Sequence, residues 1–174
     1  MLKYKKDNNK IKKEIIGNNK TKVVTADFLS NSNILIFQNI NQKKQLFNKL
    51  SRICENIIGT PKLKIIKLFI DKEINESSGI GHGVAIPNIQ MTEANSSIGI
   101  FVKLNKSINF EAIDNEPVDI IFALISPKNN DPNHLKVLAY LSRLLTDKKT
   151  LKNLRATLDE EAIYAILTNN IINE

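Results

Sequence analysis

A chain of 174 residues, 42% hydrophobic and 25% charged, is long enough for one domain with a core of its own and short for two. Its lone cysteine, Cys54, excludes an internal disulfide, and no apolar stretch reaches the roughly 18 to 20 residues that a membrane-crossing helix requires. The first twenty residues hold no apolar block ahead of a small-residue cleavage site, so the expected location is the cytoplasm.

The formal net charge of +7 invites a nucleic-acid reading, but the charge is unevenly placed. Residues 1–22 carry Lys3, Lys5, Lys6, Lys10, Lys12, Lys13, Lys20 and Lys22 against only Asp7 and Glu14, which leaves the remainder at a net +1. The division expected is a basic, Asn- and Lys-rich, disordered tail over 1–22 and a nearly neutral domain over 23–174. A bias toward Lys, Asn and Ile runs through the whole chain and accounts for such a tail without a partner. Nucleic-acid contact is the minority alternative, since few aromatics lie among the lysines and there is no tryptophan to stack bases.

In chain order, Thr25 to Leu29 reads as a short helical or turn segment and Ile34 to Phe37 as a strand. From Asn41 as N-cap, Leu46, Leu50, Ile53 and Ile57 recur at helical spacing until Gly59 ends the helix. Cys54 falls on its apolar side, as a buried thiol rather than a redox group. Thr60-Pro61 starts a second helix that turns Leu63, Ile66, Phe69 and Ile70 inward and runs out near Lys72-Glu73. Two strands follow the glycine-rich stretch: Ile98 to Leu104, and Val118 to Ile125, apolar enough to be covered on both faces. Asp131-Pro132 opens a helix with Leu135, Leu138, Leu141 and Leu145 on one side and Arg143, Asp147 and the lysines on the other. Asp159-Glu160-Glu161 opens a last one whose apolar face is Ile163, Ile166 and Leu167. Helices alternating with short apolar strands predict an α/β single-domain sandwich, a mixed β-sheet flanked by helices.

The stretch from Glu76 to Gln90 organises the chain. Gly79, Gly81 and Gly83 alternate with other residues, Val84-Ala85-Ile86 forms a short apolar run, and Pro87 stops it, leaving Asn88 at the rim of a sheet. Nucleotide loops need a helix directly after the glycines, and here a strand follows. With only two histidines, His82 and His134, there is no Cys/His cluster for zinc, and Ser77 and Ser78 lack the nucleophile elbow of a serine hydrolase. No metal and no cofactor are expected.

Lys72-Glu73 followed by the run from Ser77 to Asn88 resembles the active-site signature of the mannitol/fructose-type (type 2) enzyme IIA domain of the bacterial phosphoenolpyruvate-dependent phosphotransferase system. The resemblance continues through the run from Ile108 to Asp119 and through His134-Leu135-x-x-Leu138. It covers about residues 25–170 and is closest to the nitrogen-regulatory branch, whose members regulate rather than transport. It implies an enzyme IIA mannitol-like fold and a phosphohistidine carrier protein as partner, which donates a phosphoryl group to a histidine directly after the Ala-Ile-Pro run. That position here is Asn88. His134 matches the supporting histidine, and Lys72, Ser78, Gly79, Gly81, His82 and Gly83 fall on the family's pocket. Ser78 replaces the usual Thr, Lys72 the usual Arg, and Ile89-Gln90 the usual Gly-Lys.

A carboxamide nitrogen is conjugated to its carbonyl and is a poor nucleophile, whereas neutral imidazole has an available lone pair. The leading expectation is therefore a nitrogen-regulatory-type IIA protein that binds and regulates a target of unknown identity without taking phosphate at residue 88. Two alternatives stand beside it: a working phosphocarrier that accepts phosphate on His82 or His134, and a chain whose basic tail is an anchor for nucleic acid or membrane.

Overall fold

The computed structural model describes residues 22–128 and 133–169. The expected tail, apart from Lys22, and the Asp131-Pro132 start signal lie outside the described residues.

A 3-10 turn, Thr25–Asp27, leads into strand β1, Leu29–Phe37. Helices α1 (Lys43–Ile58) and α2 (Lys62–Asn75) follow, and then three short strands: β2 (Gly79–Gly81), β3 (Val84–Ala85) and β4 (Asn88–Met91). The long strands β5 (Ile98–Ile108) and β6 (Val118–Pro127) precede helices α3 (Asn133–Thr146), α4 (Lys148–Ala156) and α5 (Glu160–Asn169). The six strands form one mixed sheet in the order β1-β5-β6-β3-β2, with β4 also on β6. β1 runs parallel to β5, β5 antiparallel to β6, and β3 and β4 both parallel to β6.

Strand alternation sends side chains to two cores, one on each face. Ile121, Ala123 and Ile125 of β6 meet Leu46, Leu50, Cys54, Ile65 and Phe69 of α1 and α2. Ile120, Phe122 and Leu124 meet Leu141, Leu144, Leu154, Ile163 and Leu167 of α3, α4 and α5. The two-sided cover expected for Val118 to Ile125 is thus observed, and each of these β6 side chains is fully buried. Among the described residues no helix is long and apolar enough to cross a membrane.

Gly59 ends α1 as expected, in the left-handed conformation with φ 80° and its N–H on the Glu55 carbonyl. Several details differ from the sequence reading. The N-cap of α1 is Gln42, while the Asn41 N–H is held by the Gln45 side chain at 2.8 Å. Pro61 precedes α2 instead of being its first residue, and α2 runs on to Asn75. Leu63 and Leu135, expected to face the core, are 79% and 71% exposed. Each sits in the first turn of its helix, beyond the sheet surface that the later turns cover; Ile65, Val137 and Tyr140 are buried in their place. The helix expected after residue 131 is two helices. Asp147 accepts a hydrogen bond from the Thr150 N–H at 2.8 Å and so caps a new start for α4.

Lys103 is unusual as a buried lysine on β5. It is 8% exposed, and its ammonium donates to the carbonyls of Leu154 at 3.1 Å, Arg155 at 2.7 Å and Thr157 at 2.7 Å. It thereby satisfies the free carbonyls at the end of α4 and ties that helix to the sheet.

Candidate functional site

Pro87 breaks one edge of the sheet into β3 and β4, both of which lie along β6. The backbone polar groups around the break are satisfied: the Ile86 N–H reaches the Ser78 carbonyl at 2.8 Å, and the Leu124 N–H reaches the Pro87 carbonyl at 2.9 Å. Asn88 opens β4 opposite Leu124, half-buried, with its Nδ2 donating to the Ile86 carbonyl at 3.0 Å. A cleft of about 320 Å³ lies over this edge. α2 contributes Asp71, Lys72 and Asn75 to its lining, β4 contributes Asn88 and Gln90, and α3 contributes His134.

Three of the residues picked from the sequence, Lys72, Asn88 and His134, therefore meet at one cleft. Lys72 is half-exposed and pairs with Glu76 at 3.1 Å across one helical turn. His134 is held through Nδ1, 3.0 Å from the hydroxyl of Ser126. Burial pushes the imidazole below its ordinary pKa, and the nearby charge of Lys72 adds to the shift, so the neutral ring is favoured near pH 7.

The other expected pocket residues are not among those lining the cleft. Ser78 sits where α2 gives way to β2; its N–H is shared by the two Glu73 oxygens at 3.2 Å, and its buried hydroxyl has no hydrogen-bond partner among the described residues. Gly79 packs against Ala112, where an added Cβ would lie 2.7 Å from the alanine Cβ. Gly81, His82 and Gly83 form the turn between β2 and β3, which meets the start of β6 rather than its end. Val84 pairs with Ile120 and Asn88 with Leu124, a separation of about 13 Å along β6 at the rise of a strand.

That turn is held by charged side chains. The His82 N–H donates to Asp114 at 2.8 Å, and its carbonyl accepts from Arg155 Nη2 at 2.6 Å. Arg155 also forks onto Asp119, with Nε at 2.9 Å and Nη2 at 2.7 Å from the carboxylate. The His82 N–H, followed by that of Glu116, holds the Asp114 carboxyl below its ordinary range. His82 itself is exposed, with φ 57°.

Sequence reading missed Asp71, Asn75 and Ser126. With α2 ended at Lys72-Glu73, Asn75 could not be placed on the face of Asp71 and Lys72, although a spacing of three and four residues is the signal. Ser126 follows directly on the apolar run of β6, where a polar residue at the end of a covered strand marks the sheet's rim.

The sequence profile described as phosphoenolpyruvate-dependent sugar phosphotransferase system, EIIA 2, matches residues 27–170. A nitrogen regulatory protein of Bradyrhizobium diazoefficiens is 33% identical over 142 residues, 82% of this chain and 93% of the relative. The crystal structure of nitrogen regulatory protein IIA-Ntr from Neisseria meningitidis superposes with a TM-score of 0.79 at 28% identity, covering 83% of this chain and 99% of the other. The fold is shared more distantly with the Escherichia coli mannitol enzyme IIA, solved in complex with phosphorylated enzyme IIB, at a TM-score of 0.66 and 16% identity over 81% of this chain and 97% of that one. The expected fold and family are thereby established: the chain belongs to the EIIA 2 family of the phosphoenolpyruvate-dependent sugar phosphotransferase system and is similar throughout its domain to the nitrogen regulatory proteins within it.

Proposed function

We propose that the protein is a nitrogen-regulatory-type IIA protein acting by binding, with Asn88 standing at the family's acceptor position and no phosphate taken up there. The observation that carries this reading is the position of Asn88: it shares the cleft with Lys72 and His134, and its Nδ2 is spent on the Ile86 carbonyl. An amide so placed is neutral at every physiological pH, and its nitrogen lone pair, conjugated to the carbonyl, is unavailable for attack on phosphorus. It holds the cleft permanently in a state like that of the unphosphorylated family member, and a target that reads this state is bound constitutively. The partners are a phosphohistidine carrier protein, where one is retained, and a regulatory target.

Incubation with phosphoenolpyruvate, enzyme I and the carrier protein, followed by intact-mass measurement, tests the reading. The expected result is no phosphate adduct on the wild type and restored labelling on Asn88→His. A stoichiometric adduct on the wild type overturns it, and mapping that adduct to His82 or His134 would establish the phosphocarrier alternative.

A further inference from the structure

His134 meets a buried hydroxyl through one of its ring nitrogens. Its Nδ1 lies 3.0 Å from Ser126 Oγ, and Ser126, at the end of β6, is 1% exposed. A second hydroxyl, that of Ser97 just ahead of β5, donates to Ser126 Oγ at 3.4 Å. A serine hydroxyl carries a single proton. With Ser97 giving its hydrogen to Ser126, the Ser126 hydrogen has one acceptor left among the described residues, the Nδ1 lone pair of His134. In the opposite arrangement an Nδ1–H would point at Ser126 alongside the Ser97 hydrogen. The Ser126 hydrogen would then be buried without an acceptor among the described residues, which native interiors avoid.

We propose that Ser126, supported by Ser97, is a positioning residue that holds neutral His134 in the tautomer with its proton on Nε2. The ring then engages the cleft as an N–H donor rather than as a lone pair. This inference deepens the proposed function and rests on its reading of the cleft as a surface that receives a phosphorylated partner. Beside the Lys72 ammonium, an Nε2–H suits the oxygens of a phosphoryl group, to which it donates a hydrogen bond without forming a bond to phosphorus. Attack on phosphorus would need a free nitrogen lone pair, and this tautomer has none: Nδ1 is engaged by Ser126 and Nε2 is protonated. Among the described residues, the charged groups lining the cleft with the ring are Asp71 and Lys72 of α2.

The test uses the full chain with no donor protein present. Two-bond 1H–15N correlation spectra of 15N-histidine-labelled protein, taken above pH 7, identify the protonated nitrogen of each ring, and His82→Gln assigns the two. In the wild type His134 is expected as the Nε2–H tautomer. Ser126→Ala moves both of its nitrogen shifts toward their mutual average, Ser97→Ala moves them less in the same direction, and Ser126→Thr keeps the wild-type pattern. The His82 signals stay in place throughout. An Nδ1–H tautomer in the wild type, or His134 shifts unchanged by Ser126→Ala, overturns the proposal. Phosphate labelling of the wild type would instead sink the binding function, and the spectra would still decide the role of Ser126.

Discussion

The ammonium of Lys43, at the start of α1, lies 2.9 Å from the carboxylate of Glu73, near the end of α2. Glu73 is 8% exposed at its side chain and also receives the Ser78 N–H, while Lys43 continues to the Phe110 carbonyl at 2.9 Å. The pair therefore joins two helices, the entry to β2 and the loop before β6. Glu73→Ala should cost about 2 kcal/mol, because it leaves the Ser78 N–H unpaired and takes from the Lys43 ammonium its nearer carboxylate, leaving it the Phe110 carbonyl and Glu111 at 3.6 Å. Glu73→Gln keeps the acceptor and should cost about half as much. Urea denaturation with equal slopes measures both, and equal losses in the two variants would show that the charge has no part.

Two glycines make opposite demands. At Gly59 an added Cβ meets nothing within 4 Å, so Gly59→Ala suffers only from the left-handed backbone, about 1 kcal/mol. Gly79 has an ordinary backbone, but an added Cβ would lie 2.7 Å from the Ala112 Cβ and 2.8 Å from its Cα, and β2 must move away. Gly79→Ala should cost about 2 to 3 kcal/mol. Thermal melts of the two variants should rank Gly79→Ala lower, and the reverse order would mean that the loop carrying Ala112 yields easily.

Cys54 is fully buried against the sheet, and burial pushes its thiol up to about 12. Native protein should therefore leave a thiol reagent unconsumed at about pH 8 for as long as it stays folded, and urea should release one equivalent. Rapid labelling without denaturant would contradict the packing of α1.

Protonation of His134 is disfavoured in the folded state, so its pKa lies below the unfolded value of 6.5. Unfolding then takes up a proton as the pH falls through this window. The contribution of His134 to stability is full above 6.5, falls as the pH drops toward the folded pKa, and is constant below it. His134→Gln should flatten the stability profile between about pH 5 and 8 on its acid side. Denaturation midpoints across that range provide the check, and parallel profiles for the two proteins would refute the sign.

Much of the fold was legible because it rests on local pattern. Gly59, the continuous apolar run of β6 and the acidic start of α5 each announce their role within a few residues. What escaped depends on distant partners. β2 and β4 are short segments that become strands only by pairing with β3 and β6. Leu63 and Leu135 fit their helical periods, yet whether a first turn overlies the sheet is decided by tertiary placement. At the site, Lys72, Asn88 and His134 were named together through the family signature, which also drew in Gly81, His82 and Gly83. The signature runs through both ends of β3, and only the register on β6 separates them. Lys103 gave no local sign, since a lysine inside an apolar run becomes a helix cap only once α4 has docked.

The pairing of β1 with β5 has a temporal consequence. Leu29 lies opposite Gly99 and Phe37 opposite Leu104, so β1 has no neighbouring strand in the sheet until some 65 more residues have been made. β3 and β4 wait for β6 in the same way. Among the described residues the α1–α2 hairpin can form in that interval, with Phe47 stacked on Phe69 at 5.5 Å. A nascent chain stalled before residue 118 carries that hairpin with the apolar side that β6 later covers still open, a surface of the kind that chaperones bind.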